Sequence, residues 1–369
     1  MIIELHILQN FAPSNLNRDD TNSPKECEFG GYRRARVSSQ CIKRSIREYF
    51  KNNELVPLDE LAKRTNSLVK ELTGRLVKTG KLEEDARQAS IKAIESTDKL
   101  KLKDKEKTEY LLFLGEKEIR TVFDIILSNW QQLTSKSPDK KQDEAIGKSV
   151  LEAFNGGKAV DLALFGRMLA DLPNKNVDAA CQVAHAISTH KVGVEFDFYT
   201  AVDDLQPEAE TGAGMMGTIE FNSACFYRYA NIDCSQLKKN LGDDKALVQK
   251  SVEAFIRAAV NAIPSGKQNS FAAQNPPSFV FAVARKSGAW SLANAFAKPV
   301  WVGENGDLIE QSTVKLVDYW GKLAKAYGDK DIQAKPAYTL NTADLKGLDS
   351  VDSLEHLVSK INQAVAAEC

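Results

Sequence analysis

Strand-like alternation at the start of the chain, a long helical stretch, and strand signals again in the second half set the strongest limit on its fold. Ile2-Ile3-Glu4-Leu5-His6-Ile7-Leu8 alternates as a strand, with Ile3, Leu5 and Ile7 on one face. From Val56 to about Ala170, leucine, lysine, glutamate and alanine dominate and glycine is sparse. Residues 58–78, 83–94, 107–133 and 143–154 read there as amphipathic helices. Strand patterns return at 195–202, 224–232 and 278–284, with a helix over 244–263 ended by Pro264. A further helix is expected over 177–190, and two more, near 311–327 and 353–367, close the chain. Residues 11–31 carry Pro13, Pro24, Asn15, Asn17 and Asn22 without helical period, and read as a long loop. The glycine- and methionine-bearing segment 211–217 separates two strand patterns, as the apolar tip of a long hairpin or flap would. The order of elements predicts an α+β fold, one split αβ sandwich interrupted by a helical insertion and a flap.

With 369 residues the chain can bury one large core or two moderate ones. A net charge of −1 argues against binding nucleic acid by bulk charge, so any such binding must come from a patch. No apolar run is long enough to span a bilayer and the first residues do not resemble a signal peptide, which makes the cytoplasm the default and excludes a membrane partner. The six cysteines contain no Cys-x-x-Cys pair and read as reduced packing residues. His185 and His190 are five apart and do not share a helical face, and Gly212-Ala213-Gly214 lacks the frame of a dinucleotide loop. No metal or cofactor is expected.

Positive charge is concentrated between Phe29 and Arg47. Ser38 or Ser39 can cap a helix in which Ile42, Ile46 and Tyr49 or Phe50 follow at helical spacing, placing Lys43 and Arg47 one turn apart beside Arg44. Such a helix start attracts anions, and Arg33, Arg34, Arg36, Ser38, Ser39 and Gln40 add donors. A phosphate-rich partner is one reading and a solvated basic helix the other. Contacts of this kind would position a nucleic acid without reading its sequence.

Other groupings carry weaker signals. Arg18-Asp19-Asp20 could hold a metal for phosphodiester chemistry, or form a turn with an ion pair. Arg167-Met168 and Met215-Met216 set methionine beside glycine or arginine at expected loop positions, fitting a wedge between bases, a subunit contact or core filling. Lys267 and Gln268 lie in a polar loop that could touch a phosphate, and Lys136, Lys140 and Lys141 are exposed among acidic neighbours.

The stretches Leu16-Asn17-Arg18-Asp19-Asp20, Phe29 to Gln40, and Ala184-His185-Ala186-Ile187-Ser188-Thr189-His190 resemble the backbone subunit (CasC) of type I-E CRISPR Cascade. So do Phe198 to Gln206, Phe226-Tyr227-Arg228-Tyr229-Ala230-Asn231 and Ser291-Leu292-Ala293-Asn294-Ala295-Phe296. The resemblance implies an RRM-like (ferredoxin-like) palm with a helical fingers insertion and a β-hairpin thumb. The palm would span 1–55, 177–192 and 224–369 (with the C-terminal helices), the fingers 56–176 and the thumb 193–223. It implies a protein without enzymatic activity whose copies stack along the spacer of a CRISPR RNA, kink it at regular intervals and present it to a target DNA strand beside other Cascade subunits. Arg18, Lys25, Arg36, Ser38, Gln40, Lys43 and Arg47 would grip the RNA backbone, Met168 and Met216 would flank the kinked nucleotide, and Lys136, Lys140 and Lys141 would contact the target duplex. The alternative is a type III-like backbone ribonuclease cutting target RNA with a metal-bound Asp19, Asp20 or Asp204.

Overall fold

The β-branched, alternating start of the chain forms strand β1 (Ile2–Ser14), and it is buried on both faces, since Glu4 and His6 are as enclosed as Ile3, Leu5 and Ile7. The computed structural model describes residues 1–104, 106–135, 139–201, 215–303 and 306–368, with the backbone alone at Met215. β1 pairs antiparallel with Met215–Asp233 from Ile2 opposite Asp233 to Phe11 opposite Ala224. On its other side it pairs antiparallel with Phe279–Arg285, from Ile2 opposite Arg285 to Leu8 opposite Phe279. The sheet continues outward through Ala186–Ser188 to the hairpin of β2 (Glu26–Phe29) and β3 (Tyr32–Val37). Numbered by chain position, β1, Ala186–Ser188, Met215–Asp233 and Phe279–Arg285 stand in the spatial order 4-1-3-2. Helix α1 (Ser39–Asn52) joins the first of these strands to the second, and helix Lys245–Asn261 joins the third to the fourth. The protein is an α+β structure.

Two compact units divide the chain. The first comprises Met1–Asn52, Gln182–Cys234 and Val252–Cys369. One face of its sheet sets Leu5, Ile7 and Ala230 against Ile42 and Ile46 of α1 and Ala259. The opposite face sets Leu8, Tyr227, Phe279 and Phe281 against Leu292, Phe296, Leu316 and Trp320, the last two from helix Leu308–Tyr327. Each large apolar side chain removed from water contributes about 1.5–3 kcal/mol. The Phe226–Asn231 segment is interior scaffold: the Tyr227 hydroxyl meets His6 Nδ1 at 2.9 Å and takes the Leu292 amide at 2.8 Å. Arg228 donates to Gln9 Oε1 and the Ala259 carbonyl, and burial lowers its pKa to about 10.

The second unit comprises Asn53–Cys181 and Ser235–Ser251. Its core is built by α2 (Leu68–Lys78), α3 (Glu83–Glu95), α4 (Glu116–Ser128), α5 (Trp130–Thr134) and α6 (Lys140–Ala153), which bury Leu68, Leu72, Leu76, Ala93, Ile119, Ile126 and Val150 at one-turn and two-turn spacings. Among the described residues no helix is long and apolar enough to cross a membrane.

Five sequence expectations change. Residues 177–190 form short strands, Cys181–Val183 and Ala186–Ser188, because strand Met215–Asp233 offers backbone partners: Ala184 N–H reaches the Tyr229 carbonyl and Thr189 N–H the Cys225 carbonyl. The helix expected over 107–133 starts only at Glu116, after strand Leu112–Gly115 pairs with strand β4 (Ala62–Thr65), which likewise shortens the expected 58–78 helix. Residues 11–31 are partly strand, with β1 running to Ser14 and β2 starting at Glu26. Lys267 and Gln268 border a one-turn helix, Gln268–Phe271.

Arg167 is the organising charge of the second unit and is not a surface residue. Its Nη1 lies 2.9 Å from both carboxylate oxygens of Glu118 and also reaches the Phe113 carbonyl, while Nε and Nη2 donate to the Lys175 carbonyl. Glu118 also accepts the amides of Gly115 and Gly156, so both charges are buried and fully engaged. Truncating one partner strands the other charge in the interior. Arg167→Ala is expected to lower stability by about 3–5 kcal/mol in urea denaturation, and a change within the noise of surface substitutions would refute this role.

Candidate nucleic-acid interface

The β2–β3 hairpin turns at Gly30-Gly31, between Phe29 and its partner Tyr32. Both glycines have positive φ, +62° and +79°, as a two-residue primed turn requires. The next residues alternate in fate. Arg34 is fully buried: its guanidinium donates to the carbonyls of Ser188 (3.0 Å), Phe296 (2.7 Å) and Ala297 (3.3 Å), and burial pushes its pKa down. It is therefore a cross-link inside the first unit, and the expectation of a phosphate contact is corrected. Arg33 points outward and pairs with Glu26. Arg36, half-buried, donates from Nε to the Glu26 carbonyl at 3.2 Å and from Nη1 to His185 Nδ1 at 3.0 Å.

The segment 15–25 is a folded excursion pinned to this hairpin and to α1. Asn15 donates to the carbonyls of Asn22 and Glu220, Lys25 N–H to the Asn17 carbonyl, and Arg36 N–H to the Lys25 carbonyl. Asn17 Oδ1 accepts the Ser38 amide at 2.8 Å. Ser38, not Ser39, is the cap of α1: its buried hydroxyl accepts the Cys41 amide at 3.3 Å. Lys25, Arg36 and the first turn of α1 thus belong to one hydrogen-bonded surface, with Arg18 exposed on the excursion. Along α1, Ile42, Ile46 and Phe50 face the core. Gln40, Lys43 and Arg47 share another face at three- and four-residue spacing, and Arg44 is turned toward Glu48. First-turn amides lack intrahelical partners and carry the positive end of the helix dipole, so this surface suits an anion.

Asp19 is spent on its own loop. Its Oδ1 accepts from the Thr21 hydroxyl and the amides of Thr21 and Ser23, and these bonds, led by the Thr21 hydroxyl, hold its carboxyl below the usual carboxylate range. Asp20 is exposed beside it, and Asp204 lies outside the described residues.

Strand Glu195–Ala201 pairs antiparallel with residues 215–221, Phe196 opposite Glu220, Phe198 opposite Thr218 and Thr200 opposite Met216. That register puts Phe196, Phe198 and Met216 on one face of the hairpin, all about two-thirds exposed. The tip residues 202–214 lie outside the described residues, as does the Met215 side chain. Met168, beside the buried Arg167, is 84% exposed. Lys140 and Lys141 open α6, where Asp139 accepts the Lys141 amide; Lys136 lies outside the described residues. Gln268 spends its amide on the carbonyls of Pro264 and Ala273 and accepts from Gln274, leaving the half-buried Lys267 as the cation of that turn. Sequence reading passed over His185 after setting it aside as a metal ligand. It also passed over Phe196 and Phe198, whose alternation was the available signal.

A model of the CT1975-like protein family (Cas_CT1975) matches residues 3–362. No curated protein matches the chain. Among solved structures, one described as "CRISPR RNA-guided surveillance complex, pre-nicking" is 31% identical with a TM-score of 0.87, over 99% of this chain and 100% of that one. Another, "CRISPR RNA-guided surveillance complex", is 27% identical with a TM-score of 0.74, over all of both chains.

The turn glycines differ in what surrounds them. A Cβ on Gly30 would lie 2.0 Å from the Ala297 carbonyl oxygen, while Gly31 has open space. Gly30→Ala is expected to destabilise the protein markedly and Gly31→Asn to stay within about 0.5 kcal/mol of wild type in thermal melts, since asparagine tolerates the left-handed region. Equal effects would mean that the hairpin does not seat against Ala297.

Proposed function

The chain belongs to the CT1975-like protein family, and from that premise we propose that it is a CRISPR RNA-binding backbone subunit of a type I-E Cascade surveillance complex. The observation that carries this reading is the single surface on which Lys25 and Arg36, joined through backbone hydrogen bonds, are tied to the start of α1 by the Asn17 side chain, with Lys43 and Arg47 continuing it along the helix. Such a surface tracks a phosphate backbone and tolerates any base sequence, as a guide RNA demands. The relation to a protein described as a CRISPR RNA-guided surveillance complex, at 31% identity over nearly the whole chain, supports the same class.

The first unit serves as an RRM-like palm, a reading supported by its 4-1-3-2 strand order with two connecting helices. The second unit acts as the fingers and the 195–221 hairpin as the thumb. Exposed Phe196, Phe198 and Met216 on one hairpin face suit insertion beside an unstacked base, and Met168 offers a second apolar contact. Copies of the chain stack along the spacer with other Cascade subunits, kink the RNA at regular steps and present short guide segments to a target DNA strand, Lys140 and Lys141 meeting its backbone. The protein works by holding RNA and performs no catalysis, which accords with the use of Asp19 as a loop organiser.

A ribonuclease footprint of a long single-stranded RNA under excess protein is expected to show regularly spaced accessible nucleotides within a protected tract. Met216→Ala should blur that spacing; uniform protection would remove the kinking role. Replacing Lys43 and Arg47 together by alanine should weaken binding equally for unrelated RNAs and reduce the slope of log K against log salt by about 1.4. An effect confined to some sequences would contradict a backbone grip. Magnesium-dependent RNA cleavage abolished by Asp19→Asn and Asp20→Asn would replace this proposal with a ribonuclease.

A further inference from the structure

Arg36 and His185 meet in a way that constrains where a proton can sit. A guanidinium has donors only, so the imidazole nitrogen 3.0 Å from Arg36 Nη1 must present a lone pair. His185 is therefore a neutral ring with its proton on Nε2, although it stands in a cluster of cations. The charges acting on it are Arg36 on β3 and Lys25 in the preceding excursion. Strand β2 adds Glu26, whose carboxylate is engaged by Arg33, and the Cys27 thiol, which burial keeps protonated. Desolvation first, then Arg36 and Lys25, hold the imidazole below its ordinary pKa. His185 is exposed, and its partner Arg36 is half-buried.

We infer that His185 is a further phosphate-binding residue, and that RNA binding at Arg36 and Lys25 is coupled to uptake of one proton by this imidazole. The inference rests on the RNA-backbone reading of this surface. A phosphate arriving at Arg36 neutralises the charge that repels a proton from His185, and it draws the Nη1 donor away from Nδ1. The freed Nδ1 lone pair takes a proton from solvent, and the imidazolium becomes a third cation beside Lys25 and Arg36. Because the ring's pKa is higher in the bound state, the added affinity is fully present below the free-state pKa. It is lost as pH rises through the bound-state pKa, a window bracketing the ordinary histidine range.

The test is titration calorimetry of the intact protein with one long single-stranded RNA, in buffers of different ionisation enthalpy, for wild type, His185→Gln and His185→Lys. Wild type should take up protons near neutral pH and bind on the order of five- to tenfold tighter at about pH 5.5 than at about pH 8, the gain that a pKa rise of roughly one unit gives. His185→Gln, a neutral acceptor for Arg36, should lose both the proton uptake and that gain. His185→Lys, a permanent cation, should bind with little dependence on pH. Equal proton uptake in wild type and His185→Gln overturns the inference while leaving RNA binding intact. Absence of RNA binding at every pH overturns both the inference and the reading beneath it.

Discussion

The two-sided hydrogen bonding of the N-terminal strand is the constraint on which the first unit depends. β1 is the middle of the sheet, and both neighbours arrive from the second half of the chain, Met215–Asp233 on one side and Phe279–Arg285 on the other. A central strand has no solvent to satisfy its backbone, so its amides and carbonyls stay costly until those partners are in place. Everything placed by β1 inherits this dependence: the 15–25 excursion that leaves its end, and the hairpin and helix that follow. The energetic cost of closing such long loops grows only slowly with their length, which is why a large helical unit can be accommodated between β1 and its partners.

Arginine divides into two populations in this nearly neutral protein. Arg34, Arg167 and Arg228 are buried and spread their donors over carbonyls and, for Arg167, one carboxylate. A planar group with five donors can satisfy several backbone acceptors at once, and its charge survives the burial that would neutralise a lysine. Arg18 and Arg36 keep donors at the surface, where an anion can use them. The buried set builds the frame on which the surface set is displayed. Arg34 ties the hairpin strand to the Ser188 and Phe296 carbonyls, and two residues later Arg36 emerges beside His185.

Much of the frame could be read from the residues. The apolar spacing of α1 and its serine cap lie within a few positions of one another; the spacing marked Ile42 and Ile46, while packing chose Phe50 over Tyr49 and Ser38 over Ser39. The helices of the second unit were legible for the same reason, apart from a break at Asn129 and the starts that tertiary pairing trimmed at Ala62–Thr65 and Leu112–Gly115. Residues 181–188 were illegible. Their composition suits a helix, yet strand Met215–Asp233 presented unpaired backbone groups there and drew the segment into the sheet. The candidate site divides in the same manner: its cations were visible as a cluster, while His185, supplied by a segment distant in the chain, was not.

By itself the sequence determined the apolar period of the helices, a serine cap at Ser38 or Ser39 and the concentration of positive charge between Phe29 and Arg47. Each of these rests on residues near one another in the chain, the first two on neighbours within about one or two helical turns. Only the tertiary structure decided which basic residues face solvent. Arg33, Arg34 and Arg36 are almost adjacent and chemically identical, yet the middle one is enclosed by carbonyls from Ser188 and Phe296 and the others are not. A guanidinium has no local rule for burial. Its fate depends on whether distant backbone acceptors converge on it, and those acceptors are set by the packing of the whole sheet.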